Sequence, residues 1–204
     1  RRGMHTPWGI AQEVSAEAEG IYHVSTAGHG GVKVRQDLNS YIPSYMRRPD
    51  GWYEEDSEWC LPFVALEAHI RATGAPHALE ALRKDLHVAT FRNGYPDAYE
   101  QFYNTVLRPG ESRAKDERLF YAIHQDDWLA IAAWGDWKEG VPEGMVLVLA
   151  TQGGRREHGI RKRCFLIPEE EYDPLSSTNL QRQARQRAFA FVVDPARHQE
   201  VVCP

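Results

Sequence analysis

Cysteine is scarce in this chain: Cys60, Cys164 and Cys203 are an odd number, widely spaced and without a CxxC pair. Such a set is no disulfide framework, so reduced thiols and a cytoplasmic location are expected. Long apolar runs are missing too. Runs such as Met145 to Ala150 suit a strand and fall far short of the roughly 20 residues of a membrane helix, so no membrane partner is expected. Arg1 and Arg2 precede no apolar segment, and a secretory signal is not expected. Repeats, low-complexity tracts and linker-like stretches are absent, so residues 1–204 read as a single domain. Neither GxGxxG, GxxxxGK(S/T), HExxH nor GxSxG occurs, which removes the usual markers of phosphate cradles, zinc proteases and serine hydrolases. No cofactor is expected on these grounds. The formal charge of −5 argues against whole-surface binding to nucleic acid or membrane, since both would repel an acidic surface.

What is present has the makings of an α+β fold. Trp8 to Val14, Ile21 to Ser25 and Val32 to Arg35 read as short strands separated by glycines. Turns this close together imply an antiparallel meander, because parallel strands need longer crossovers. Tyr41 to Asp50, with two prolines, reads as an irregular loop. Four helices follow: one carrying Trp59, Phe63, Leu66 and Ile70 up to Gly74, and one over Pro76 to Val88 with Leu79, Leu82 and Leu86 inward. The third runs from Pro96 with Tyr99, Phe102, Tyr103 and Val106. The fourth covers Glu111 to His124 with Leu119, Phe120 and Ile123 inward. Strands return at Asp127–Trp134, Gly144–Thr151, Arg161–Ile167 and Arg187–Val193. The order predicts an antiparallel sheet built from N- and C-terminal meanders, with about four helices packed on one face.

Three stretches carry candidate chemistry. In Ser25-Thr26-Ala27-Gly28-His29-Gly30-Gly31 the glycines bare a histidine and free the backbone for positive φ and ligand-facing N–H groups. Thr26, Gly28, Gly30 and Gly31 become candidate binding residues and His29 a candidate base or metal ligand. A plain glycine hairpin explains the same residues. In Gly51-Trp52-Tyr53-Glu54-Glu55-Asp56-Ser57-Glu58-Trp59, four carboxylates fall within five residues among three aromatic rings. On a strand, Glu54 and Asp56 share a face and Glu55 points away. His29, Glu54 and Asp56 would then be catalytic, with His23 joining them around a divalent metal; helix capping explains the acids equally well. The third stretch is Arg155, Arg156, His158, Arg161, Lys162 and Arg163, continued by Arg182, Arg185 and Arg187. Over 151–190 it holds eight Lys/Arg against five Asp/Glu. Arg161 and Arg163 share a strand side, suiting phosphate, an acidic protein, or simply a charge-protected edge.

The motifs Thr6-Pro7-Trp8-Gly9, Ser25-Thr26-Ala27-Gly28-His29-Gly30-Gly31 and Gly51-Trp52-Tyr53-Glu54-Glu55-Asp56 resemble the opening of a bacterial domain-of-unknown-function family. Phe165-Leu166-Ile167-Pro168, Glu171-Tyr172 and Val193-Asp194-Pro195-Ala196-Arg197-His198 resemble its later parts. That family is met in proteins of conjugative plasmids, integrated elements and phages. The resemblance implies a mobile-element accessory protein that blunts restriction or CRISPR defences by binding a host defence protein or protein–nucleic acid complex. Glu54, Glu55, Asp56 and Glu58 would replace phosphates on the partner's arginines, with Trp52 and Tyr53 as anchors. Two rivals stand beside it: a metal-dependent hydrolase or nuclease centred on His29 and Glu54–Asp56, and a nucleic-acid-binding module using the basic 155–187 region.

Overall fold

The computed structural model describes residues 3–172 and 189–203. It is α+β, and its contacts divide it into two compact units, residues 1–115 and 116–204. The first opens with a small hairpin, β1 (His5–Thr6) and β2 (Gly9–Ile10), followed by β3 (Glu13–Ala18), β4 (Ile21–Ser25) and β5 (Gly30–Val34). After the short α1 (Gln36–Asn39) comes β6 (Trp52–Glu54), and β3-β4-β5-β6 form one antiparallel sheet in sequence order. Helices α2 (Cys60–Ala65), α3 (Glu67–Thr73), α4 (Pro76–Arg83), α5 (Leu86–Gly94) and α6 (Pro96–Tyr103) follow. The next helix, α7 (Arg113–Ile123), begins in the first unit and ends in the second.

One face of this sheet carries the core. The pairings Ile21↔Val34, His23↔Val32 and Val32↔Tyr53 put these side chains on the same side, since cross-strand partners share a face. Ile21, Val32, Val34 and Tyr53 are buried there with Cys60, Leu61, Phe63, Val64, Ile70, Leu82 and Phe91 from the helices. The irregular stretch 41–50 sends Ile42 and Met46 into the same core. The hydroxyl of Tyr53 donates to Asn39 Oδ1 at 2.7 Å and accepts the Arg48 N–H at 3.1 Å, which satisfies a polar atom that burial would otherwise leave costly. Burial pushes the Cys60 thiol up to about 12, and the side chain is fully enclosed. Because the thiolate is the reactive form, Cys60 is expected to resist alkylation by iodoacetamide at pH 8 in the native protein. It should react within minutes once denaturant is added; mass spectrometry at successive times reads the difference.

Two of the four expected helices are broken. Leu66, at φ −110° and ψ 21°, separates α2 from α3, and Asp85, at φ 52° in the left-handed region, separates α4 from α5. The second break turns the inward face: Leu82 is buried, whereas Leu79 and Leu86 are exposed and Ala78 and Phe91 take the core positions. The expected inward residues Leu119 and Ile123 of α7 are exposed as well.

The second unit contains β7 (Trp128–Trp134), β8 (Met145–Gln152), β9 (Lys162–Pro168), α8 (Glu169–Tyr172), β10 (Val192–Val193) and β11 (Gln199–Val201). Its sheet has the order β10-β7-β8-β9-β11. Among the described residues the N- and C-terminal meanders therefore build separate sheets, each hydrogen-bonded among strands of its own unit. Of the strand expected over 187–193, Val192–Val193 is present, while Arg187 lies outside the described residues. Glu171 accepts the Arg197 guanidinium and meets His198 Nε2 at 2.9 Å, while His198 Nδ1 accepts the Asp194 N–H at 3.0 Å. This network ties the turn at 194–198 to α8.

The cysteine reading is corrected here. Cys164 and Cys203 form a disulfide, with Cα atoms 5.2 Å apart. The β9–β11 ladder pairs Val201 with Cys164 and so delivers Cys203, two residues on, to a partner 39 residues away in sequence. No spacing motif announces a pair made by strand register. Among the described residues no helix is long and apolar enough to cross a membrane.

Candidate functional site

Turn chemistry gathers the sequence's candidate residues at one end of the first sheet. Between β4 and β5, Thr26 closes the hairpin loop: its N–H and its Oγ1 both donate to the His29 carbonyl at 2.7 Å, and Oγ1 accepts the His29 N–H at 3.2 Å. His29 stands exposed at this tip. The glycines serve differently from the sequence expectation, since none of Gly28, Gly30 and Gly31 has a positive φ. Gly30 and Gly31 lie within β5, and what they supply is room. A Cβ on Gly30 would sit 2.5 Å from Glu55 Oε2, and one on Gly31 would sit 2.2 Å from Trp8 Cη2 and 2.3 Å from the Tyr53 carbonyl oxygen. The missing side chain of Gly30 thus admits the Glu55 carboxylate against the sheet, beside His29. The Glu55 N–H also donates to the Gly30 carbonyl at 3.2 Å.

Past Glu54 the strand gives way to a turn. The Glu54 carbonyl accepts the Trp59 N–H at 2.9 Å, and its carboxylate accepts the N–H groups of Asp56 at 2.8 Å and Ser57 at 3.2 Å. Glu58 Oε2 accepts the Glu54 N–H at 3.2 Å, while its Oε1 takes the Arg48 guanidinium at 2.9 and 2.6 Å. That hydrogen bond with Glu58 is the main cause holding Arg48 above the usual guanidinium range. Hydrogen bonds within the turn and to Arg48 therefore account for Glu54 and Glu58, although no side chain caps α2 itself. They do not account for Glu55, whose carboxylate accepts no hydrogen bond from the described residues.

His29, Glu54 and Glu55 each offer one ligand atom, and these atoms lie within 4.8 Å of one another. Metal–ligand bonds of about 2.0–2.2 Å set neighbouring donors roughly 3–4 Å apart around a dication, closer than the 4.8 Å within which these atoms lie. An imidazole with two carboxylates suits manganese, iron or zinc. The Asp56 and Ser57 N–H groups would orient Glu54 as outer-shell partners, because each carboxylate oxygen keeps a second lone pair.

The structure rearranges the sequence's set. Glu55 takes the place expected of Asp56, which is exposed and outside the group. His23 lies on the core face of β4, where it lines a pocket with Glu17, Glu55, Trp59, Phe63 and His77. Trp52 is half-buried, meets Trp8 edge-on at 5.7 Å, and has Lys33 Nζ 4.8 Å over its ring. Tyr53, expected as a surface anchor, is fully enclosed and cannot serve as one.

A family model described as a domain of unknown function (DUF7007) matches residues 1–125. This chain belongs to that family. No curated protein and no solved structure matches it. The DUF7007 segment contains His29, the turn at 54–58 and the pocket beside them; the basic stretch and the motifs around Phe165 and Val193 lie beyond it. In that second part Arg155 and Arg161 are exposed, Arg156 donates to the Ile131 carbonyl at 3.0 Å, and Arg163 grips Glu200 at 2.8 and 2.6 Å. Arg163 also lies 4.8 Å over the Trp128 ring and Arg161 lies 6.0 Å from it, so the two share a face. Arg182, Arg185 and Arg187 fall outside the described residues. Within DUF7007, sequence reasoning passed over Trp8, Glu17 and His77. The TPWG motif is the signal for the first, since Thr6 Oγ1 accepts the Trp8 N–H at 3.1 Å and donates to the Gly9 carbonyl at 2.9 Å, aiming the ring back over Gly31.

Proposed function

We propose that His29, Glu54 and Glu55 hold one divalent cation and that the protein is a metal-dependent hydrolase. The approach of their three ligand atoms to within 4.8 Å carries this reading. Three protein ligands at an exposed loop tip leave coordination positions for water and substrate, the arrangement of catalytic rather than closed structural sites. A bound dication would supply an acidified water and polarise the substrate oxygen. The chain's own residues do the rest: Thr26 fixes the loop that presents His29, Gly30 makes space for Glu55, and the N–H groups of Asp56 and Ser57 orient Glu54.

The anti-defence reading draws its support from the motif resemblance. It retains Trp52, Glu55 and Asp56 as contacts, has Glu54 engaged by two N–H groups, and loses Tyr53 to the core and Glu58 to Arg48. The nucleic-acid reading retains Arg155 and Arg161 and loses Arg163 to Glu200. The metal reading keeps His29 and Glu54 and gains Glu55, while Asp56 and His23 drop out of its set and Glu54 carries two N–H bonds.

Thermal denaturation of EDTA-stripped protein in Mn²⁺, Zn²⁺ and Mg²⁺ tests it. An ion at a hundredfold excess over its dissociation constant is expected to stabilise the fold by about 2.7 kcal/mol. Glu55→Gln and His29→Ala, both on accessible side chains, should melt normally without metal and lose most of that gain. Equal melting curves with every ion, or an unchanged gain in both variants, would remove the site.

A further inference from the structure

We infer that the pocket between β3, β4 and α4 is a binding site for a small organic cation with an aromatic body, an arylalkylammonium. It is an open cleft of about 240 Å³, lined on its polar side by Glu17, His23, Glu55 and His77 and on its apolar side by Trp59 and Phe63. No lysine or arginine lines it. Glu17 sits beside a backbone irregularity. The β3–β4 register pairs Ala16 with Tyr22 and Ala18 with Ile21, leaving Glu17 as the extra residue of a bulge. Glu17 follows Ser15, the partner of His23, by two residues and so shares its inward face; the bulge brings Ala18 to that face as well, and the Glu17 carbonyl accepts the Ala75 N–H at 2.8 Å.

The Glu17 side chain is only 10% exposed. Burying a carboxylate is costly unless it is paired. His77 Nε2 lies 2.9 Å from Oε2, from the rim, where His77 is 57% exposed. Oε1 accepts nothing from the described residues, and neither does the carboxylate of Glu55. Two carboxylates with spare acceptor capacity, facing a cavity walled by Trp59 and Phe63, are complementary to an ammonium group and an attached ring. The cation gains charge-assisted hydrogen bonds and contact with aromatic faces, and the ring fills the apolar side. A cavity of about 150 Å³ accommodates benzene, so this one has space for a ring and a short aminoalkyl chain. The inference does not depend on the metal site, although Glu55 borders both.

Calorimetric titration of EDTA-treated protein with phenethylamine tests it, the chelator keeping the outcome separate from metal binding. Saturable binding with Kd of about 1 mM or tighter is expected, in line with the efficiency of small ligands. The neutral isostere 2-phenylethanol should bind at least about tenfold more weakly, and 3-phenylpropionate should not bind. Glu17→Gln should weaken the amine about tenfold or more. Ala81→Leu, which fills the pocket from α4 without altering charge, should abolish binding while the protein stays folded by circular dichroism. Absence of saturable amine binding, equal affinity for amine and alcohol, or unchanged affinity in Ala81→Leu would overturn the inference.

Discussion

Reduction of the Cys164–Cys203 bond is expected to cost the unit over residues 116–204 about 3–4 kcal/mol, the largest single loss among the changes considered. The bond closes a loop of 39 residues. A cross-link stabilises chiefly by removing conformations from the unfolded chain, and for a loop of this length the chain-entropy relation gives about 4 kcal/mol. In a unit of this size each kcal/mol moves the midpoint by about 4–8 °C, so dithiothreitol should lower the melting transition of this part by about 10 °C or more. Cys203→Ser should melt at the reduced protein's temperature, with or without dithiothreitol, which separates the cross-link from other effects of the reductant. Cys60 belongs to the other unit and has no partner to exchange with while buried. Once the bond is reduced the same loop stands open, and β11 then depends on its ladder with β9 alone. Coincident melting curves for oxidised, reduced and Cys203→Ser protein would show that the bond contributes nothing.

How far the sequence reaches follows from which physical signals are local. β4 reads out directly, because Ile21-Tyr22-His23-Val24-Ser25 carries β-branched residues between a glycine and a turn. β3 does not, because Glu13-Val14-Ser15-Ala16-Glu17-Ala18 has the composition of a helix surface and becomes a strand only by pairing with β4. The helix over Trp59, Phe63, Leu66 and Ile70 has the right face and hides its break at Leu66, where the periodicity continues across a change in backbone direction. The break at Asp85 is equally hidden, since a left-handed aspartate costs little and leaves the leucine spacing intact. At the site, strand alternation favours Glu54 with Asp56 and would exclude Glu55. The alternation stops where β6 stops, and the bonds of Glu54 to the N–H groups of the turn set the direction beyond it. Register also decides the disulfide, and register is a property of two strands together, so neither stretch shows it alone.

Gly31→Ala is expected to destabilise the first unit by about 3 kcal/mol, whereas Gly28→Ala, three residues earlier in the same motif, is expected to be harmless. The contrast tests whether the glycines of this loop are there for backbone freedom or for space. Both have φ values open to an alanine. A Cβ at Gly28 meets nothing within 4 Å, so the substitution there should change stability by under 1 kcal/mol, in the favourable direction if anything, by restricting the unfolded chain. A Cβ at Gly31 meets the Trp8 ring and the Tyr53 carbonyl oxygen at distances that atoms cannot share. Overpacking of this kind costs about 1–3 kcal/mol, and the upper end applies because the Tyr53 oxygen belongs to the ladder between β5 and β6 and cannot swing aside. A double-mutant cycle with Trp8→Ala apportions the clash. If the ring is the main obstacle, Gly31→Ala becomes nearly neutral in the Trp8→Ala background; if the carbonyl is, most of the cost persists. The second outcome is expected, since the ring hangs on an exposed hairpin that can lift while the strand pair cannot separate without losing its hydrogen bonds. Equal melting temperatures for Gly28→Ala and Gly31→Ala would show that space at β5 is not what the glycine provides.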